Sequence, residues 1–242
     1  MTAKKLLTKF VLFAVFVCAP GLHGADSAKL PFGGKEELVY NVHWSFISVG
    51  EAILGLERIS SSTWRVYSKA KSYPFFDSFY KVRDTVESVW NIDAMRSLRF
   101  EKHLREGKKV TEDLIVIDTV TNMAVRKGYE WKVSPHALDV LSSLHFIRMK
   151  ALTVGKKIVM DVYTKKKLWP LEVEVIKKQK IKVRGRKYRT ILVEPKMREE
   201  GIFKAKGRIR VWLTDDEKRI PVRMNSKVLI GSVSVDLIEV RK

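Results

Sequence analysis

The adjacent acids Asp215 and Asp216, followed by Arg219, are the residues most suggestive of chemistry. Neighbouring carboxylates can share a proton, hold a cation, or act as acid and base in a hydrolysis. They also read as a polar hairpin turn, since they separate Val211-Trp212-Leu213 from Ile220-Pro221-Val222 and Asp favours turns. Two Ser-x-x-Lys matches, Ser68/Lys71 and Ser78/Lys81, raise the prospect of a serine nucleophile. That chemistry needs both side chains on one helix face, whereas Ser68 and Lys71 sit in a strand-like stretch, where positions three apart face opposite ways. The chain has no Gly-rich phosphate loop, no Gly-x-Ser-x-Gly elbow and no His-Glu-x-x-His helix. The four histidines beyond residue 24 (His43, His103, His136 and His145) include no pair four apart. Neither a local metal site nor a cofactor is therefore expected.

Binding chemistry is better represented. Lys178, Lys180, Lys182 and Arg184 alternate with apolar Ile181 and Val183, and Arg186 follows. On a strand this spacing puts a row of cations on one face. Such a face suits anionic headgroups or polymers, through an attraction that salt screens. It also serves as a charged edge that discourages stray strand pairing. The run Tyr73-Pro74-Phe75-Phe76-Asp77-Ser78-Phe79-Tyr80 is too apolar for a clean alternating strand. It suits either a mouth for acyl chains or a plug in a barrel end. Trp212 shares strand parity with Arg208 and Arg210, so it is expected to face solvent. His145 and Arg148 either reach a ligand or hydrogen-bond a sheet neighbour. The expected ligand-contacting set is thus Phe75, Phe76, Phe79, Trp212, His145 and Arg148. The expected anion-contacting set is Lys178, Lys180, Lys182, Arg184 and Arg186.

These residues must be positioned by strands. Leu38, Tyr40, Val42, Trp44 and Phe46 recur with period two, as do Val82, Val86, Trp90 and Ile92. Leu171, Val173 and Val175 repeat the pattern, and so do Val233, Val235 and Leu237. Such alternation marks antiparallel strands with one face in a core. Short turns such as Arg184-Gly185-Arg186 and Gly231-Ser232 favour a meander. Roughly a dozen strands exceed what a flat sheet holds comfortably. The fold class is therefore mainly β: a large antiparallel meander curled into a half-barrel or barrel. One main helix, about 135–152, packs on it, with Ser134 as cap and Pro135 in its first turn. Leu138, Leu141, Leu144, His145 and Arg148 follow at helical spacing. Residues 35–242 read as a single domain after a flexible lead-in at 25–34.

Composition and the N-terminus set the compartment. Lys and Arg number 47 against 27 Asp and Glu, a formal charge of +20, with 45% hydrophobic residues. This is a globular balance, not that of disorder or low complexity. Lys4, Lys5 and Lys9 precede the uncharged stretch Phe10–Ala19, and Pro20, Gly21 and Gly24 break it. The apolar stretch is too short to span a bilayer, so residues 1–24 read as a signal peptide cleaved after Gly24 or Ala25. Cleavage removes Cys18, the only cysteine, which excludes disulfides and thiol chemistry from the mature chain. A bacterial periplasm is the expected location. Export argues against a nucleic-acid partner and leaves a lipid or an anionic envelope component, with peripheral membrane contact and no transmembrane segment after cleavage.

The residues Leu30-Pro31-Phe32-Gly33-Gly34, Glu37-Leu38-Val39-Tyr40-Asn41-Val42-His43-Trp44 and Gly50-Glu51-Ala52 together resemble an exported family of unknown function, DUF3108. Phe79-Tyr80-Lys81-Val82-Arg83-Asp84, Asp139 to Arg148, Val193-Glu194-Pro195 and Gly201-Ile202-Phe203 fit the same pattern. The strongest match is Val211-Trp212-Leu213-Thr214-Asp215-Asp216 with Arg219-Ile220-Pro221-Val222, Lys227 and Gly231-Ser232. The resemblance implies an exported β-rich protein and carries over no reaction. The expected function is a periplasmic, non-enzymatic binding or carrier module for an amphiphilic, lipid-like ligand. The alternatives are an envelope scaffold that docks a protein or anionic polymer through its basic face, and a hydrolase using Asp215 and Asp216.

Overall fold

The computed structural model describes residues 30–164, 167–197, 208–227 and 231–242. The expected signal peptide and the Gly201-Ile202-Phe203 motif lie outside the described residues. Among those described, fourteen strands and two helices follow in chain order. The first half holds β1 (Lys35–Trp44), β2 (Ile47–Arg58), β3 (Thr63–Ser72), α1 (Pro74–Tyr80), β4 (Val82–Asn91), β5 (Arg96–Glu106), β6 (Lys109–Asp118), β7 (Met123–Arg126) and β8 (Tyr129–Lys132). After α2 (Val140–Met149) come β9 (Lys157–Thr164), β10 (Lys167–Val183), β11 (Arg186–Met197), β12 (Ile209–Thr214), β13 (Pro221–Lys227) and β14 (Ser232–Arg241).

All the strands belong to one antiparallel sheet, ordered β8-β7-β6-β5-β4-β3-β2-β1-β14-β13-β12-β11-β10-β9. It consists of two meanders zipped together where the first strand meets the last, with Leu38 opposite Val240 and Val42 opposite Val235. The outer edges β8 and β9 are not paired with each other. The segment between β8 and α2 bridges the gap instead. Ser97 donates its backbone N–H to Ala137, Leu138 donates to Asp161, and Tyr163 donates to Leu138, each at 2.9–3.0 Å. Trp131 from β8 and Tyr163 from β9 share a core cluster with Ile115 and Ile117. The expected curled meander is therefore present, as a wall whose seam is closed by a connector.

The concave face carries the inward residues that the alternation identified. Trp64, Trp90, Leu56 and Val162 are fully buried in the main cluster, beside Val173, Val193 and Leu213. At one end, Leu38, Tyr40, Val222 and Leu237 meet Val183 from the β10–β11 hairpin. That hairpin extends past its neighbours: β9 reaches only Glu174 of β10, and β12 reaches only Thr190 of β11. Its tip is then free to fold over this end and to fill it with Ile181, Val183 and Tyr188.

Three local expectations need correction. The helix expected at about 135–152 covers only Val140–Met149. Ser134-Pro135-His136 is a turn, closed by Ala137 N–H on the Ser134 carbonyl. Residues 137–138 are held extended by the seam, so the helix starts at Asp139, whose carboxylate caps Leu141 and Ser142. At the other end the Arg148 carbonyl accepts the Arg219 guanidinium at 2.8 Å. Phe32, placed in a flexible lead-in by the sequence, is buried in the main cluster. Its ring sits edge-on to Trp64 at 5.3 Å and to His145 at 5.8 Å. This ring ties the segment ahead of β1 to the core. Finally, the aromatic run is the seven-residue helix α1, entered through Pro74 at its first turn.

Candidate functional site

Helix α2 roofs the concave face, and a cavity of about 210 Å³ lies between the two. Val140, Leu141, Leu144 and Ile147 face it from the roof. Its walls include Leu54, Val86, Leu171, Val173, Val193, Val211, Met224 and Val235, so it is almost wholly apolar. Sequence explains why space remains there. Tyr40, Ala52 and Ala70 stand opposite one another across β1, β2 and β3. All three line the cavity, with Ser68 beside them. Two alanines in a row of otherwise large inward residues leave the floor unfilled. The Tyr40 hydroxyl is spent on the Pro221 carbonyl at 2.8 Å, and burial holds its pKa far above the usual phenol range. Tyr40 therefore offers the cavity a neutral ring and no acid.

The other face of α2 is polar yet buried, and it anchors the roof. Arg148 is completely buried and forms a two-pronged pair with Glu36 of β1, the shorter contact being 2.6 Å. It also donates to the Lys218 carbonyl. His145 accepts from Arg148 at 3.2 Å through Nδ1, because a guanidinium can only donate. Burial, then the Arg148 charge, pushes the His145 pKa well below its ordinary value, so the ring is neutral. At its N-terminus Asp139 also accepts from Ser88 of β4. The expected ligand contacts His145 and Arg148 thus hold the helix in place and are not among the residues lining the cavity.

The remaining expected residues fall in three places. Phe75 and Phe79 are exposed on α1, and their rings lie 5.7 Å apart. Phe76 packs inward against Val42, Val49 and Val233; Val233 also lines the cavity. Trp212 is not the exposed aromatic expected from its parity with Arg208 and Arg210; it is half-buried against the cluster around Val183 and Val222. The hairpin that folds over that end supplies the cover. Lys178, Lys180, Lys182, Arg184 and Arg186 are all exposed, at the end of the barrel opposite α1. Lys178 pairs with Asp215 at 2.8 Å. Asp215 and Asp216 are turn residues: Asp216 accepts from Thr214, Lys218 and Arg219. Among the described residues no three His, Cys, Asp or Glu side chains are grouped to hold a metal ion.

One feature was missed in the sequence. Asp84 of β4 and Glu106 of β5 are buried on inward positions. Asp84 accepts one bond, from Arg105 N–H at 2.8 Å, and neither Glu106 oxygen has a partner among the described residues. Burial raises the Asp84 pKa to about 6. Burial, reinforced by the Asp84 charge, raises that of Glu106 to about 7. Both residues share inward parity with Val86 and Leu104, which is the signal that would have exposed them.

A meandering wall, a connector-sealed seam and a helix over an apolar hollow define a β-barrel-like protein. The family model "Protein of unknown function (DUF3108)" matches residues 39–238, and the chain belongs to that family. A crystal structure of a β-barrel-like protein of the domain of unknown function DUF1849, from Brucella abortus, is similar in fold. The TM-score is 0.60 at 10% identity, covering 86% of this chain and 97% of that one. No curated protein gives a significant match.

Proposed function

We propose that this protein is a periplasmic, non-enzymatic carrier or binding module whose amphiphilic ligand places its apolar part under α2. The observation that carries this reading is the 210 Å³ apolar hollow between roof and sheet. An acyl segment entering this hollow leaves water at a gain of about 0.8 kcal/mol per buried methylene. The roof is rigidly anchored at both ends, by Asp139 and by the Arg148–Glu36 pair, so the hollow is preorganised. The test is native mass spectrometry on protein purified without detergent, together with uptake of a fluorescent fatty acid. Retained lipid-sized mass or saturable uptake is expected. Purely unliganded protein with no uptake refutes the proposal.

The exposed cation row on the β10–β11 hairpin favours a second reading, a scaffold that docks an anionic polymer or protein. Its test is the triple variant Lys180→Glu, Lys182→Glu, Arg184→Glu, which should abolish salt-sensitive association with the envelope fraction.

A further inference from the structure

The two ends of the barrel differ. One is filled by Ile181, Val183 and Tyr188 of the folded-over hairpin. The other carries exposed apolar side chains that the fold leaves uncovered among the described residues. Phe46, at the tip of the β1–β2 turn, is 99% exposed, and Phe75 and Phe79 on α1 are 70% and 69% exposed. These two sites are neighbours. Tyr73, just before α1, donates its N–H to the Val49 carbonyl. Val49 lies three residues from Phe46, about 10 Å along a strand. Ile47, 54% exposed, lies between them.

Cations frame this apolar group. Lys81 follows α1, and its carbonyl accepts the Gly107 N–H of the β5–β6 turn, where Lys108 and Lys109, the first residue of β6, are exposed. Exposed Lys227 ends β13 opposite Ser232, whose carbonyl accepts the Ser45 N–H. Two nearby acids are paired, Asp77 with Arg83 at 2.6 Å and Glu51 with Lys71 at 3.0 Å, and Glu106 beside the β5–β6 turn is buried. Aromatic tips inside a ring of lysines complement a surface that is apolar within and anionic at its skin. The cavity lining also reaches this end through Ser226, next to Lys227, and Val233, opposite Trp44.

We propose that the end bearing Phe46, Phe75 and Phe79 docks on an anionic phospholipid bilayer, the rings entering the acyl boundary and the four lysines facing headgroup phosphates. That ligand would then pass between the hollow and the bilayer at this end rests on the carrier reading; the docking itself stands on the exposed residues. It places membrane contact at the end opposite the Lys178–Arg186 row.

The test is flotation of the chain, as processed in the producing cell, with phosphatidylglycerol-containing and with pure phosphatidylcholine vesicles. Binding to the anionic vesicles is expected, weakening with salt. The variant Phe46→Ser/Phe75→Ser/Phe79→Ser should bind at least roughly tenfold more weakly. Lys81→Glu/Lys108→Glu/Lys109→Glu should lose a similar factor. Lys180→Glu/Lys182→Glu/Arg184→Glu should bind as wild type. All substituted side chains are exposed, and circular dichroism of each variant checks the fold. Absence of wild-type binding, equal binding to both vesicle types, or loss only in the Lys180 variant overturns the proposal. If wild type ignores vesicles while the Phe variant loses a co-purifying protein, the face is a protein interface and the proposal also fails. Fatty-acid uptake in vesicle-free buffer, measured on the same samples, reports separately on the carrier reading.

Discussion

Ala52 and Ala70 stand opposite each other on the cavity floor, which makes the pair Ala52→Leu/Ala70→Leu the most direct probe of the hollow. Each change adds three carbons, or about 2.4 kcal/mol if fully buried. Together they supply at most about 5 kcal/mol. Rotamer restriction and imperfect fit commonly remove half of such a gain. In a chain this long 1 kcal/mol moves Tm by about 2–4 °C, so a rise of roughly 5–10 °C is expected in lipid-free buffer. Fatty-acid uptake should fall at least roughly tenfold, because the added carbons occupy the ligand's place. Differential scanning calorimetry and fluorescence titration measure the two effects on the same preparation. A lowered Tm with uptake unchanged refutes the reasoning, since it means that the floor was already packed and that ligand goes elsewhere.

Glu36→Gln leaves the buried Arg148 charge without its partner; denaturant unfolding should show a loss of about 3–5 kcal/mol. Asp139→Ala removes the cap that also accepts from Ser88; a loss of about 1–2 kcal/mol is expected by the same method. The Asp84 and Glu106 pKa values are raised in the folded chain, so the fold retains protons that the unfolded chain releases near pH 4. Their contribution therefore disfavours folding progressively from about pH 4 to 7 and levels off above that. Glu106→Gln should gain stability relative to wild type across this window, and a pH series of urea midpoints with a flat difference between the two proteins would contradict it.

The strand skeleton was legible because period-two alternation reports directly which face is inward, as for Tyr40 and Val42 or Val233 and Val235. The helix was legible in its centre and misplaced at its start. Ser134 and Pro135 make a sound local cap, yet the seam's demand for extended backbone at 137–138 is a long-range effect that no local pattern carries. The same holds for His145 and Arg148: helical spacing put them on one stripe, but only the fold brings Glu36, 112 residues away, to meet Arg148. Trp212 was assigned to solvent from its strand parity, and the hairpin folding over it reversed that. The cavity itself was foreseen only in outline. Its cause, small Ala52 and Ala70 in register, depends on strand pairing that a single sequence does not display.

The sheet's first strand has its last as a neighbour: Glu37 sits opposite Arg241. About 200 residues must therefore emerge before β1 acquires its second partner. At a synthesis rate of roughly 5–20 residues per second, that edge stays open for on the order of 10–40 s. Closure of the wall is thus a late, highly non-local event, and until β14 is made β1 stands as a sheet edge with one side unpaired.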